Sequence, residues 1–359
     1  MGEKLPAGIL IHEHERGGSF IISQKLASMV KGKFIKLSSK KKNKLDISVK
    51  KILGKRFWSN LSDIKRIDKE ISLWNIHYPS PIILPVLFIS KKPKIISFHF
   101  MRGGHPFKFK QEGMIFYFLN KLSDLFFNIV FNIWVLFADK LLFITQGQKK
   151  EYKEITLFEK KFEKKSTIIP NFIERNYIKN NKKIFRKRLP KVLFIGRLEK
   201  LKGFYDLINL KRVISEGNVS FSIVGEGKIP LNKYNDFKNY GKVTPDKMKK
   251  IYDKHEILIL PSYTEVFPMV ILEAMARGLV ILVSDLPGMR EIVKEGRNGY
   301  LFPPGDIEKM KEIILYLKNN PKEIERISKN NLKDIHKFTT EKQIPKYLKV
   351  YEDILKEND

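Results

Sequence analysis

The 359-residue chain has no cysteine, which excludes disulfide scaffolds, thiolate metal sites and cysteine nucleophiles. No apolar run reaches the ~18 residues that a membrane-spanning helix needs. The amino terminus lacks the charged-then-apolar pattern of a signal peptide. Zinc-finger spacing, a helix-turn-helix signature and paired aromatic RNA-binding motifs are also missing, so no specific nucleic-acid partner is expected. Acidic residues are scarce beside basic ones, 39 Asp+Glu against 69 Lys+Arg, which leaves a net charge of +30. Attraction to an anionic membrane surface and a lysine-rich composition bias both rank above nucleic-acid binding as its meaning. The run Lys40-Lys41-Lys42 with Lys44 contributes to it.

What is present is apolar enough, at 43% hydrophobic residues, to bury large cores. The length suits two domains of roughly 150–200 residues each. Short apolar runs alternate with longer helical patterns, which argues for parallel sheets covered by helices. Strands are expected at Ala7–His12, 94–99 and 140–145, with a Gly17-Gly18 turn and a helix over 20–30 after the first. The stretch 80–90 fits either helix or strand, because Pro85 interrupts it. A polar, basic boundary falls at 176–190, and a second series starts at Lys191–Ile195 and runs through 219–224, Ile257–Leu260 and 280–283. The expected architecture is α/β, with two doubly wound Rossmann-like domains facing a cleft that would hold the ligand. Their limits are residues 1–180 and 190–338, and an amphipathic helix closes the chain within 340–359.

In the helical segment 125–138, Asp124, Asn128 and Asn132 form an i, i+4, i+8 polar stripe, as for a helix with one wet side. It reads either as a packed helix or, with the aromatic residues of 116–137, as a face that touches a bilayer.

The chemistry concentrates in two loops. Strand Ile257–Leu260 leads through Pro261-Ser262-Tyr263-Thr264-Glu265 into a helix that Pro268 suits at its start and Gly278 at its end. This βαβ unit puts Glu265 at the carboxyl edge of the sheet, where open α/β sheets bind ligands. The amides at the helix start suit a diphosphate. Glu273 sits inside the apolar run Val270-Ile271-Leu272-Glu273-Ala274-Met275-Ala276, and a carboxylate there needs a partner. Ribose hydroxyls fit that need; a structural ion pair is the alternative. The second loop, Gly196-Arg197-Leu198-Glu199-Lys200-Leu201-Lys202-Gly203, brings a guanidinium fork and a mobile ammonium to the same edge.

Residues 191–305 resemble the donor-binding half of the large retaining glycosyltransferase family with the GT-B fold and the E-x7-E motif (glycosyl transferases group 1, family 4). The resemblance rests on Gly196-Arg197 with Lys202-Gly203, Val224-Gly225-Glu226-Gly227, Gly241-Lys242-Val243, Pro261-Ser262 and Glu265 to Glu273, then Glu291-Ile292-Val293 and Asn298-Gly299-Tyr300-Leu301. It implies sugar transfer from a nucleoside diphosphate sugar, UDP- or GDP-linked, to a glycan or lipid-linked acceptor, with no metal and no further cofactor. Arg197 and Lys202 would hold the diphosphate and Glu273 the ribose, while Glu265 would contact the donor sugar or lie near the reacting carbon, so that Glu265, Arg197 and Lys202 are the candidate catalytic residues of this half. Gly196, Phe267, Met269 and Val270 would complete the pocket, with the backbone at Val243 facing the base. Val266 stands where the family often has glycine, which puts the donor sugar in question. In the first half the resemblance is looser: Gly18 would lie near the donor, and His99 is the candidate catalytic histidine, with His105 its rival. The closing helix would cross back to the first domain. The location expected is the cytoplasm, and the lysines of the first domain with the aromatic helix at 116–137 favour peripheral attachment to the inner face of the cell membrane. Other enzymes of the fold, a sugar-nucleotide epimerase or a phosphorylase, remain alternatives, as does a basic non-catalytic polyanion-binding module.

Overall fold

The computed structural model describes residues 7–12, 18–29, 33–38, 47–52, 55–59, 61–77, 84–99, 114–179, 190–214, 219–227, 229 and 237–358. Gly17, Lys40-Lys41-Lys42, His105 and most of the expected boundary, 180–189, lie outside them. The chain divides into two compact units, residues 1–171 with 343–359, and residues 172–342.

The first unit contains strands β1 (Ala7–His12), β2 (Lys33–Ser38), β3 (Ile47–Ile52), β4 (Lys55–Ser59), β5 (Leu73–His77), β6 (Lys94–Ser97), β7 (Lys140–Phe143) and β8 (Ser166–Ile168). They form one sheet in the order β4-β3-β2-β1-β5-β6-β7-β8, parallel except for the β3–β4 pair. Helices α1 (Gly18–Met29), α2 (Leu61–Asp68), α3 (Leu84–Ile89), α4 (Met114–Phe137), α5 (Gln146–Lys153) and α6 (Glu159–Lys165) connect the strands. The ambiguous stretch 80–90 therefore contains a helix where it is described. The core is aromatic: Phe98 stacks on Phe143 with centroids 5.0 Å apart, beside Phe127, Phe131, Trp134, Tyr152 and Phe162.

The polar stripe of α4 corrects one expectation. Asn132 is buried and faces the segment that follows α5, not water. Its amide donates to the Ile155 carbonyl at 3.1 Å and its oxygen accepts from the Leu157 N–H at 2.7 Å. A buried amide that pairs two backbone groups is a seam between elements, which the spacing alone cannot distinguish from a wet face.

The second unit contains β9 (Lys191–Ile195), α7 (Phe204–Val213), β10 (Ser220–Val224), β11 (Lys238–Asn239), α8 (Pro245–Asp253), β12 (Ile257–Leu260), α9 (Met269–Ala276), β13 (Val280–Ser284), α10 (Pro287–Ile292), β14 (Gly299–Phe302), α11 (Ile307–Asn319) and α12 (Pro321–Asp334). Its sheet is parallel throughout, in the order β11-β10-β9-β12-β13-β14. Strands buried on both faces, such as Ile-Leu-Ile-Leu in β12, are what a sheet covered by helices on both sides requires. Numbered within the unit this order is 3-2-1-4-5-6, the dinucleotide-type doubly wound sheet. Chain direction reverses between β9 and β12, so the loops after those two strands open a crevice at the switch point.

The division between units precedes the expected limit at residue 180. Residues 172–179 go with the second unit because their backbone is committed there: the Ile173 N–H donates to the Phe338 carbonyl and the Lys179 N–H to that of Ala276, each at 2.9 Å. The closing helix α13 (Thr340–Asn358) runs into the first unit, where Asn75 donates to Tyr351 Oη at 2.7 Å.

Candidate active site

The loop after β9 carries Gly196 to Gly203. Its neighbours hold it in place: the Gly196 N–H donates to the Val224 carbonyl at 3.0 Å, Leu198 N–H to that of Glu226 at 3.1 Å, and Tyr263 N–H to that of Leu201 at 3.0 Å. Two glycines permit this crowding. At Gly203, with φ of 68°, a Cβ would lie 1.8 Å from the Pro261 carbonyl oxygen; at Gly225, with φ of 136°, a Cβ would lie 1.9 Å from that of Gly196. No other residue type tolerates both the backbone angle and the approach.

These close loops bring Lys202 and Glu265 together across the switch point. Lys202 Nζ lies 2.6 Å from Glu265 Oε1, and both side chains are largely buried. Ser262 Oγ donates to the same carboxylate oxygen at 3.3 Å. Arg197 is placed differently: its Nη2 pairs with Glu199 Oε1 at 2.9 Å, and its side chain is 64% exposed. The two cations expected to act together are thus held by different carboxylates, one in a tight pair and one at the surface.

Glu273, half-buried on α9, accepts a hydrogen bond from Tyr252 Oη at 2.8 Å. Burial pushes the Tyr252 phenol well above its ordinary range, and the Glu273 charge adds to the shift. Tyr177 is raised by the same two causes. Both phenols therefore stay protonated and able to donate toward a carboxylate. The neighbouring Arg277 bonds Asp253 through Nε at 3.1 Å and the Tyr177 carbonyl through Nη1 at 3.2 Å. A second cation, Lys179, approaches Asp253 at 3.3 Å. This ties residues 177–179 to the end of α9.

The remaining expected donor residues are packed. Phe267 and Met269 are buried, and Phe267 stands edge-on to Phe338 with centroids 5.5 Å apart. Pro268 precedes the helix in an extended conformation, so α9 begins at Met269. Val270 and Val243 are half-buried, and Val266 is buried. Among the described residues no group of three or more His, Asp or Glu could hold a metal ion.

In the first unit, His99 does not stand alone. Its Nε2 lies 2.7 Å from Nδ1 of His77 at the end of β5, and the rings stack with centroids 4.9 Å apart. Burial pushes His99 down to about 4; burial, and then His99 beside it, lower His77 well below the usual imidazole value. Both rings are neutral at neutral pH, as a bond with one donor and one acceptor nitrogen requires. The outer nitrogens, His99 Nδ1 and His77 Nε2, are buried with no hydrogen-bond partner among the described residues. Gly18 begins α1.

Residues 174–334 match the sequence profile of the family described as glycosyl transferases group 1. They belong to that family. The chain is 30% identical over 195 residues to an uncharacterized glycosyltransferase of Haemophilus influenzae, across 51% of this chain and 53% of the relative. It is 28% identical over 209 residues to the alpha-galactosylglucosyldiacylglycerol synthase of Streptococcus pneumoniae, across 52% and 55%. The chain spans about half the length of the curated relatives it matches. Among solved structures, HepE of Anabaena in complex with UDP aligns with a TM-score of 0.75 over 97% of this chain and 100% of that one, at 16% identity. The fold is accordingly GT-B.

Within the group 1 domain, sequence reasoning missed the residues that hold the expected ones. Tyr252 lies on α8, far along the chain from Glu273, with only its place in an amphipathic helix as a signal. Asp253 and Arg277 look like two more surface charges until folding joins them. In the first unit His77, at the end of β5, is the partner of His99 that local pattern does not reveal.

Proposed function

We propose that the chain is a retaining glycosyltransferase. It moves a sugar from a nucleoside diphosphate sugar, UDP- or GDP-linked, to an acceptor hydroxyl in the synthesis of an envelope glycolipid or polysaccharide. The observation that carries this reading is the Lys202–Glu265 pair, set at the switch point of a dinucleotide-type sheet. UDP bound to HepE and the glycolipid named for the pneumococcal relative support the donor and acceptor classes.

Lys202 would meet the diphosphate as an ammonium already oriented by Glu265. Arg197 would join it by leaving Glu199, because an exposed ion pair is worth only about 0–1 kcal/mol. The first amides of α9 add the positive end of a helix dipole. As the bond from anomeric carbon to diphosphate oxygen breaks, charge collects on that oxygen, and these groups stabilise it. The acceptor oxygen forms its bond to the anomeric carbon on the same face and passes its proton to the departing diphosphate. Configuration is kept. Glu265 would also contact the sugar, and Glu273, held by Tyr252, would accept from the ribose hydroxyls. His99, neutral and oriented by His77, would hydrogen-bond a sugar or acceptor hydroxyl without adding charge.

Lys202→Ala should lower kcat for transfer from UDP- or GDP-sugars by about 10²–10³, measured at a temperature where the variant is still folded, because the largely buried Glu265 carboxylate left without its cation also lowers the thermal midpoint. Near-normal transfer would remove Lys202 from the chemistry. Proton NMR of the product reads the anomeric configuration, and inversion would refute the retaining course.

A further inference from the structure

Helix α4 is apolar on two opposite sides. Inward, Phe127, Phe131 and Trp134 are fully buried in the core of the first unit. Outward, Leu122, Leu125, Phe126 and Ile129 follow one another at i, i+3, i+4 and i+7, and Phe137 continues the line. Phe88 of α3 extends the strip sideways, its ring edge-on to Phe137 with centroids 5.0 Å apart. Each of these six is 48–59% exposed. A helix on the surface of a globular protein normally turns polar residues outward, and one that is apolar all round is covered by something. From residue 122 to 137 the strip runs about 22 Å at the helical rise, and a continuous apolar surface of this kind marks an interaction site.

Charge says what covers it. Exposed Lys121 stands beside Leu122 at one end. At the other, exposed Lys91 and half-exposed Lys92 follow Phe88 within a few residues. Asp124, between the ends, is half-buried on the flank. A second copy of a chain with net charge +30 would bring like charges face to face. An anionic lipid surface would instead attract every lysine that borders the strip. We propose that the α3–α4 face of the first unit is a docking surface for an anionic bilayer, with the apolar strip in the boundary between headgroups and acyl chains and the lysines among the lipid phosphates. Among the described residues no helix is long and apolar enough to cross a membrane, so the contact is peripheral. This inference does not rest on the transfer reaction, though it would hold the first unit against a membrane-borne acceptor.

The test is sedimentation of the full chain with phosphatidylcholine vesicles, with and without phosphatidylglycerol, at low salt. The wild-type chain should partition preferentially to the phosphatidylglycerol vesicles. Leu125→Asn with Phe126→Asn leaves the net charge unchanged and alters only exposed side chains. It should lower the partition coefficient by about tenfold or more with an unchanged thermal midpoint. No binding by the wild-type chain, equal binding to both vesicle types, or equal binding by the double variant would each overturn the proposal. So would a wild-type dimer in vesicle-free sedimentation velocity that the double variant converts to monomer, because the strip would then be an interface between copies.

Discussion

Tyr252 and Glu273 make the sharpest case for what one side chain does. A phenol fully out of water donates to a carboxylate on a different helix, at 2.8 Å. Removing the hydroxyl leaves the carboxylate in place but less firmly aimed. Tyr252→Phe should cost about 1.5–3 kcal/mol of stability, the range for hydrogen bonds to charged groups, read from urea unfolding. If Glu273 binds ribose, the donor KM should rise severalfold with kcat retained, because that contact is made equally in ground and transition states. A fall in kcat at constant KM would show that Glu273 acts elsewhere. Lys202 and Arg197 illustrate the same dependence on partners. Equal in charge, they differ in burial, and only Lys202 is held where its charge is weakly screened.

Among elements, α4 shows how one helix serves three neighbours. Its core face packs on the first sheet, its Asn132 side chain stitches it to residues 155–157, and its outer face carries the exposed strip. Asn132→Leu keeps the volume roughly but strands the Leu157 N–H and the Ile155 carbonyl. The expected loss is about 1–3 kcal/mol, from leaving two partly buried backbone groups without the amide, measured as a lower urea midpoint. A change under about 0.5 kcal/mol, the size of an ordinary surface substitution, would mean that water replaces the amide there. The loops after β9 and β12 act as one element in the same sense, because the Tyr263-to-Leu201 hydrogen bond and the Gly203 approach to Pro261 leave them little independent movement.

For the molecule as a whole, pH dependence follows from the histidine pair. Both imidazoles have folded-state values below the unfolded one, so the unfolded chain takes up protons first as pH falls. The contribution of His99 is complete above about pH 6.5 and is lost as pH falls through about 4; that of His77, also held below the usual imidazole value, is lost in the same direction. For His99 alone the shift corresponds to on the order of 3 kcal/mol. Thermal midpoints measured from pH 7 to pH 4.5 should fall more steeply in the wild-type chain than in the double variant His77→Phe, His99→Phe. Parallel curves would show that the pair titrates normally.

The fold was legible wherever local pattern and burial coincide. Ile257–Leu260 and Lys191–Ile195 are apolar on both faces, bounded by turn residues, and central in their sheet. Both were expected with the bounds observed. The edge strands β4, β8, β11 and β14 were not foreseen, being short and needing fewer apolar residues. Nor was β5, a central strand whose Asn75 and His77 break the apolar run and are buried only because Ser97, Tyr351 and His99 satisfy them. At the candidate site, the order of glycines, cations and carboxylates along the chain already determined which loops carry charge and at which edge of a parallel sheet they emerge, since strand direction and loop chemistry are local properties. Which charge meets which was decided by the tertiary structure alone. Pairing depends on distances across the switch point, and those exist only once β9 and β12 lie side by side.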